Sequence, residues 1–132
     1  VDAGFNLNEI IFKQTLIPLT SKGSTVIFKN KFYGNSTNFT IDENELMVKD
    51  LKYGQNLRSS EHLKIFEKKQ FNRNDHKKYL LHEKIENLSG LEIDMVYEWE
   101  IGSILIFDRT RLHCSSSLID GKKIGLTTFT KK

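Results

Sequence analysis

From Leu91 to Trp99 apolar and acidic residues alternate: Leu91, Ile93, Met95, Tyr97 and Trp99 interleave with Glu92, Asp94, Glu98 and Glu100. A period of two is the signature of a strand with one buried and one wet face. Gly102 turns the chain, and Ser103 to Phe107 follows as a continuous apolar run. Such a run predicts a strand covered on both faces. Ile10 to Leu19 is rich in β-branched and aromatic residues, Thr20 to Gly23 supplies turn chemistry, and Ser24 to Phe28 is apolar again. The pattern predicts a hairpin. Lys123 to Thr130 reads as the last strand, and Phe39 to Ile41 as a short one beside the polar stretch Gly34 to Asn38.

Helical signals are weaker. Asn74 or Asp75 is placed to cap a short helix running His76 to Lys84, with Tyr79 and Leu80 on one side. Leu63, Ile65 and Phe66 sit in a polar stretch that fits either element. At least five strands with one or two short helices predict a mainly β protein, a sandwich or a barrel.

Composition adds bounds. The 132 residues are expected to form a single domain over 1–132, long enough to bury roughly two-thirds of the unfolded surface. The net charge of +3 is spread along the chain, which describes a solvated face and sets nucleic-acid binding aside. The one cysteine, Cys114, excludes an internal disulfide and fits a reducing, cytoplasmic setting. No apolar run approaches the roughly 18 residues of a membrane helix.

Chemistry concentrates between Gly102 and Thr130. A strand leads to a turn with Asp108 and Arg109, then to His113, and ten residues later to Lys123. Ferrous iron in oxygenases takes two imidazoles and a carboxylate on one face, and His113 is a candidate imidazole. Lys123 precedes an apolar strand and is a candidate anion clamp. Its neighbour Lys122 is easily confused with it, but alternation sends only one of the two inward. The competing readings are a hydrogen-bonded core histidine and an edge-strand lysine that deters pairing. Cys114 reads as a small buried thiol, and Asp108 with Arg109 as a structural pair in the turn. His62, His76 and His82 read as surface residues, the last two being six positions apart and so not on one helix face.

These segments, GSTVIFKNKFY, ENLSGLEIDMVYEWEIGSILIFDRTRLHC and KIGLTTFT, resemble the Fe(II)/2-oxoglutarate-dependent dioxygenases. The resemblance implies a double-stranded β-helix, a cupin- or jelly-roll-like core. Val1-Asp2 is similar to the X-Asp of that family's His-X-Asp motif, and Leu112-His113-Cys114 to its distal histidine. Lys123 matches the residue that takes the far carboxylate of 2-oxoglutarate. The implied metal ligands are Asp2 and His113. The implied co-substrate contacts are Lys123, with Gln14 and Thr15 as further candidates.

Fe(II), 2-oxoglutarate, O₂ and a small-molecule substrate of open identity would be the partners. The implied reaction is hydroxylation coupled to decarboxylation of 2-oxoglutarate to succinate. The motif's first histidine would stand before Val1, outside this chain. The expectation is therefore the C-terminal core of a longer protein, and a fragment without that ligand would be inactive by itself. Two other classes stay open: a metal-free β-barrel binding module, and a cupin-type metalloenzyme that does not use 2-oxoglutarate.

Overall fold

The computed structural model describes residues 11–34, 37, 62–117 and 121–131. Among these residues six strands lie in chain order: β1 Ile11–Pro18, β2 Ser24–Lys31, β3 Ile93–Glu98, β4 Leu105–Asp108, β5 Arg111–Ser115 and β6 Gly125–Lys131. Between β2 and β3 come a helical turn α1, His62–Ile65, a helix α2, Arg73–Tyr79, and a 3-10 turn, Ile85–Leu88. The protein is mainly β, as its periodicity predicts. The strands form two antiparallel sheets of three, in the orders β4-β1-β6 and β3-β2-β5.

β1 and β2 are not a hairpin. β1 pairs with β4 and β6, and β2 with β3 and β5, so the five residues from Leu19 to Gly23 carry the chain from one sheet to the other. Gly23 has φ 84°, a value glycine adopts at no steric cost. Turn chemistry of this kind reverses the chain and leaves the choice of sheet to the strand's own faces. β2 is buried at every position from Ser24 to Phe28, so it needs cover on both sides and takes the centre of its sheet.

Each face of β2 serves a separate core. Val26 and Phe28 pack with Leu112, Phe32, Phe71, Leu80, Leu88 and Leu91, between the sheet and the helical layer. Ile27 points the other way and joins Leu16, Trp99, Leu105 and Phe107 in a cluster drawn from both sheets. That second cluster fills the space between the sheets, where the candidate site lies.

Two strand predictions need correction. β3 pairs Met95 with Ile27 and Ile93 with Phe28, so Asp94 is an extra residue in a β-bulge. The bulge inverts the facing pattern. Ile93 and Val96 pack on the helical-side core, while Met95 is exposed. β4 is covered on one face only: Leu105 and Phe107 are buried, and Ile104 and Ile106 are 57% and 62% exposed.

α2 starts two to three residues earlier than the capping signal suggests. The Asn72 side chain accepts from the backbone N–H groups of Asn74 and Asp75, which satisfies two of the orphan donors of the first turn. Asp108 pairs with Lys13 across β1 and β4, and the Lys13 ammonium holds its carboxyl below the usual range.

His62 also departs from expectation. It is fully buried, with Nδ1 2.8 Å from the Thr37 hydroxyl and Nε2 3.1 Å from the Asn87 carbonyl. Nε2–H donates to Asn87, and Nδ1 is the acceptor of a neutral ring. Burial lowers its pKa from 6.5, against the raising effect of the Asn87 carbonyl. A base whose folded pKa is depressed stabilises fully above its unfolded pKa and loses that contribution as pH falls through the folded one. Denaturant midpoints should therefore drop between pH 7 and pH 5 in the wild type and drop less in His62→Gln. Equal slopes in the two proteins would discard this assignment.

Candidate functional site

His113 is on β5, opposite Ile27 of β2. Strand alternation turns Leu112 and Cys114 to the helical-side core and His113 to the space between the sheets. There its imidazole packs edge-on against Phe107 of β4, with ring centroids 4.7 Å apart. Its Nε2 is 3.3 Å from Nε2 of Gln14 on β1, and its Nδ1 is 3.2 Å from the Arg111 carbonyl.

The two contacts define the tautomer. A carbonyl only accepts, so Nδ1 carries the hydrogen and donates to Arg111. Nε2 then holds a lone pair, toward which the buried Gln14 carboxamide donates. An imidazole whose Nδ1–H is tied to a backbone carbonyl is oriented as metal-ligating histidines commonly are.

Lys123 lies two residues before β6. It is half-buried, whereas Lys122 is exposed, although both precede the strand and so are not separated by its alternation. The Lys123 ammonium donates to the Ser24 carbonyl at the start of β2 and sits 4.3 Å from the centre of the Trp99 ring. No carboxylate of the described residues pairs with it. Burial pulls its pKa down to about 8, with the Cys114 side chain acting weakly the other way.

Hydroxyls back this end of the space between the sheets. The Ser24 hydroxyl donates to that of Ser116 at 2.7 Å, and Trp99 Nε1 donates to the Thr25 hydroxyl at 2.9 Å. Gly125 makes the packing possible, because a Cβ there would stand 2.7 Å from the Trp99 ring.

Ile27, opposite His113, and Ser24, which holds Lys123, are three residues apart on β2. In extended chain that is roughly 10 Å.

Comparison with protein families, characterised proteins and solved structures found no match. The reading of the site therefore stands on its geometry and its chemistry.

Of the residues singled out from sequence, Gln14 and His113 meet directly, and Lys123 faces the same interior further along. Thr15 is opposite Ile106 and Thr128, on the outer face of its sheet, away from Gln14. Asp2 lies outside the described residues. Cys114 packs on the helical-side core, and burial first, then Glu83, pushes its thiol up to about 12. A thiol held protonated in this way is inert as a nucleophile.

Trp99, Thr25, Ser24 and Ser116 were not singled out. Period two does put Trp99 on an inward face, and that was the available signal. No group of three or more His, Cys, Asp or Glu among the described residues could hold a metal ion. Further donors beside His113 would come from outside these residues, where the sequence candidate Asp2 lies.

Proposed function

We propose that this chain is the core of a jelly-roll oxygenase that uses Fe(II) and 2-oxoglutarate. The metal would be held by His113 and Asp2, and the far carboxylate of the co-substrate by Lys123. The observation that carries the proposal is the pairing of two unlike groups in one interior. One is an imidazole on β5 oriented through its Nδ1 by the Arg111 carbonyl, and the other is a half-buried ammonium held at the start of β2.

Strand order supports the jelly-roll reading. Among the described strands the chain crosses between sheets at β1→β2, β3→β4, β4→β5 and β5→β6, and it stays within a sheet only at β2→β3. Crossings of this kind wind two facing sheets from one antiparallel hairpin, which is how jelly rolls are built.

The donor set fits a ferrous site in kind, since a neutral imidazole and a carboxylate are its ordinary ligands. When bound, the metal supplies the activation of O₂ against 2-oxoglutarate. The chain's own residues orient and exclude. The Arg111 carbonyl fixes the His113 ring through Nδ1 and Phe107 covers one side of the imidazole, while a metal at Nε2 would displace the Gln14 carboxamide from its contact there. Lys123 neutralises the distal carboxylate, while Leu16, Leu105 and Ile27 line a dry middle section. The primary substrate is not named by any of these groups.

The test is anaerobic titration of the protein with Fe(II) and then 2-oxoglutarate, followed by visible absorption. A charge-transfer band is expected in the wild type and no band in His113→Ala. Loss of a direct ligand should cost more than the roughly 10- to 100-fold in metal affinity typical of an outer-shell partner. A wild-type protein that binds Fe(II) but ignores 2-oxoglutarate would retire the proposal in favour of another cupin-type metalloenzyme. A protein that binds neither would leave the scaffold as a binding module.

A further inference from the structure

We infer that Trp99 is a positioning residue for Lys123, holding the ammonium at the inner end of the sandwich where it meets a distal carboxylate. The inference rests on the anion-clamp reading above and adds to it the group that makes the clamp rigid.

A lysine side chain has four rotatable carbons and a strongly hydrated head. Half-buried, with no carboxylate partner among the described residues, its ammonium needs other contacts to stay in one place. The Ser24 carbonyl accepts one of its hydrogens, and the Trp99 ring lies beneath it at 4.3 Å. The ring face is the negative side of the indole quadrupole and attracts the cation without neutralising it. An ammonium held this way keeps donors and charge free for an arriving carboxylate. A salt bridge in the same place would have consumed both.

The indole is itself fixed at three points. Nε1–H donates to the Thr25 hydroxyl at 2.9 Å, so the ring plane cannot turn about its long axis. Its far edge lies against Gly125, where any Cβ would stand 2.7 Å from Cη2. It is buried with Leu16, Ile27, Leu105 and Phe107. The Ser24 carbonyl is fixed too, because the Ser116 backbone N–H donates to it at 3.0 Å and the two serine hydroxyls bond at 2.7 Å. Both supports of the ammonium are therefore anchored to the β2 and β5 sheet, the sheet that also carries His113. This sets the spacing between the two ends of the site.

The test compares two ligands by calorimetry, with Mn(II) present throughout. One is 2-oxoglutarate, and the other is 2-oxopentanoate, the same carbon chain without the distal carboxylate. The dissociation constant of 2-oxopentanoate divided by that of 2-oxoglutarate reports the clamp alone, and a change that only loosens the fold moves both constants together. Trp99→Leu is expected to lower this ratio by about 3- to 30-fold, as the loss of a partly desolvated cation–aromatic contact implies. Trp99→Phe keeps an aromatic face under the ammonium and should lower it by no more than about 3-fold.

Thr25→Val keeps the ring and removes its hydrogen-bond acceptor, and is expected to lower the ratio by about 2- to 10-fold. It decides the matter if Trp99→Leu does not fold. A wild-type ratio retained in Trp99→Leu, or in Thr25→Val where the leucine variant is unfolded, overturns the positioning role. A wild-type ratio near one would instead overturn the clamp itself, so the two failures are distinguishable.

Discussion

Phe28→Ala is expected to destabilise the folded protein by about 3–5 kcal/mol, the range for removing a buried aromatic side chain from a packed core. Phe28 is fully buried at the centre of β2 and packs edge-to-face on Phe71, with ring centroids 6.4 Å apart at 69°. The phenyl group therefore joins the central strand to the helical layer. Small domains have only about 5–15 kcal/mol in all, so the variant should sit near the edge of folding.

The contrasting substitution is Ile106→Ala, also an apolar residue in a strand. Ile106 is 62% exposed on the outer face of β4, and its loss should stay within about 0.5 kcal/mol. Guanidinium denaturation at neutral pH measures both. A loss below about 1.5 kcal/mol for Phe28→Ala, or equal losses at the two sites, would contradict the assignment of β2 as the strand buried on both faces.

The same contrast explains which parts of the fold are legible in the sequence. Ser24 to Phe28 and Ser103 to Phe107 are both short apolar runs, and composition alone gives them the same strand reading. Only β2 is buried on both sides, because burial depends on which strands end up beside it. Strand existence is a local property, whereas pairing is not. The five residues from Leu19 to Gly23 have the chemistry of a reversal and reverse the chain, yet into the opposite sheet. In β3 a single extra residue, Asp94, changes which apolar side chains face inward, although the alternation looks unbroken in one dimension. His62 looks like a surface histidine in the polar run Ser59 to Lys69, and its burial depends on Thr37 and Asn87, each 25 residues away.

The candidate site is legible for a related reason. His113 faces inward by alternation along β5, and Lys123 stands on the approach to the next strand, two residues before β6. Gln14 meets His113 from 99 residues away, and its inward direction follows from alternation along β1, which also sends its neighbour Thr15 outward. The Trp99–Thr25–Ser24–Ser116 support could not be read in advance. It is assembled from residues that are ordinary in their own segments, and its function appears only when Lys123 is brought across them.

Binding of 2-oxoglutarate should weaken above pH 8 through Lys123. In the ligand-free protein, burial pulls this ammonium's pKa down to about 8, because the interior disfavours the charged form. A carboxylate that arrives next to it favours the charged form and raises the pKa again. Below pH 8 the amine is already protonated in both states, so the dissociation constant should not vary with pH on its account. Above pH 8 the free protein must take up a proton to bind. The dissociation constant should then rise by up to about tenfold per pH unit until the pKa of the bound state is reached.

Two variants isolate the cause. Lys123→Arg carries a charge that is not lost in this range, so its profile should be flat even if the affinity differs. Lys123→Ala should also be flat and weaker by about 2–5 kcal/mol, the usual cost of removing one member of a hydrogen-bonded, desolvated charge pair. Calorimetric titrations with Mn(II) from pH 6.5 to 9.5 separate this effect from the pH dependence of metal binding, which all three proteins share. If the wild type showed the arginine variant's profile, or Lys123→Ala bound as the wild type does, the distal carboxylate would have to rest elsewhere. Lys123 would then be an ammonium kept in place only by Ser24 and Trp99.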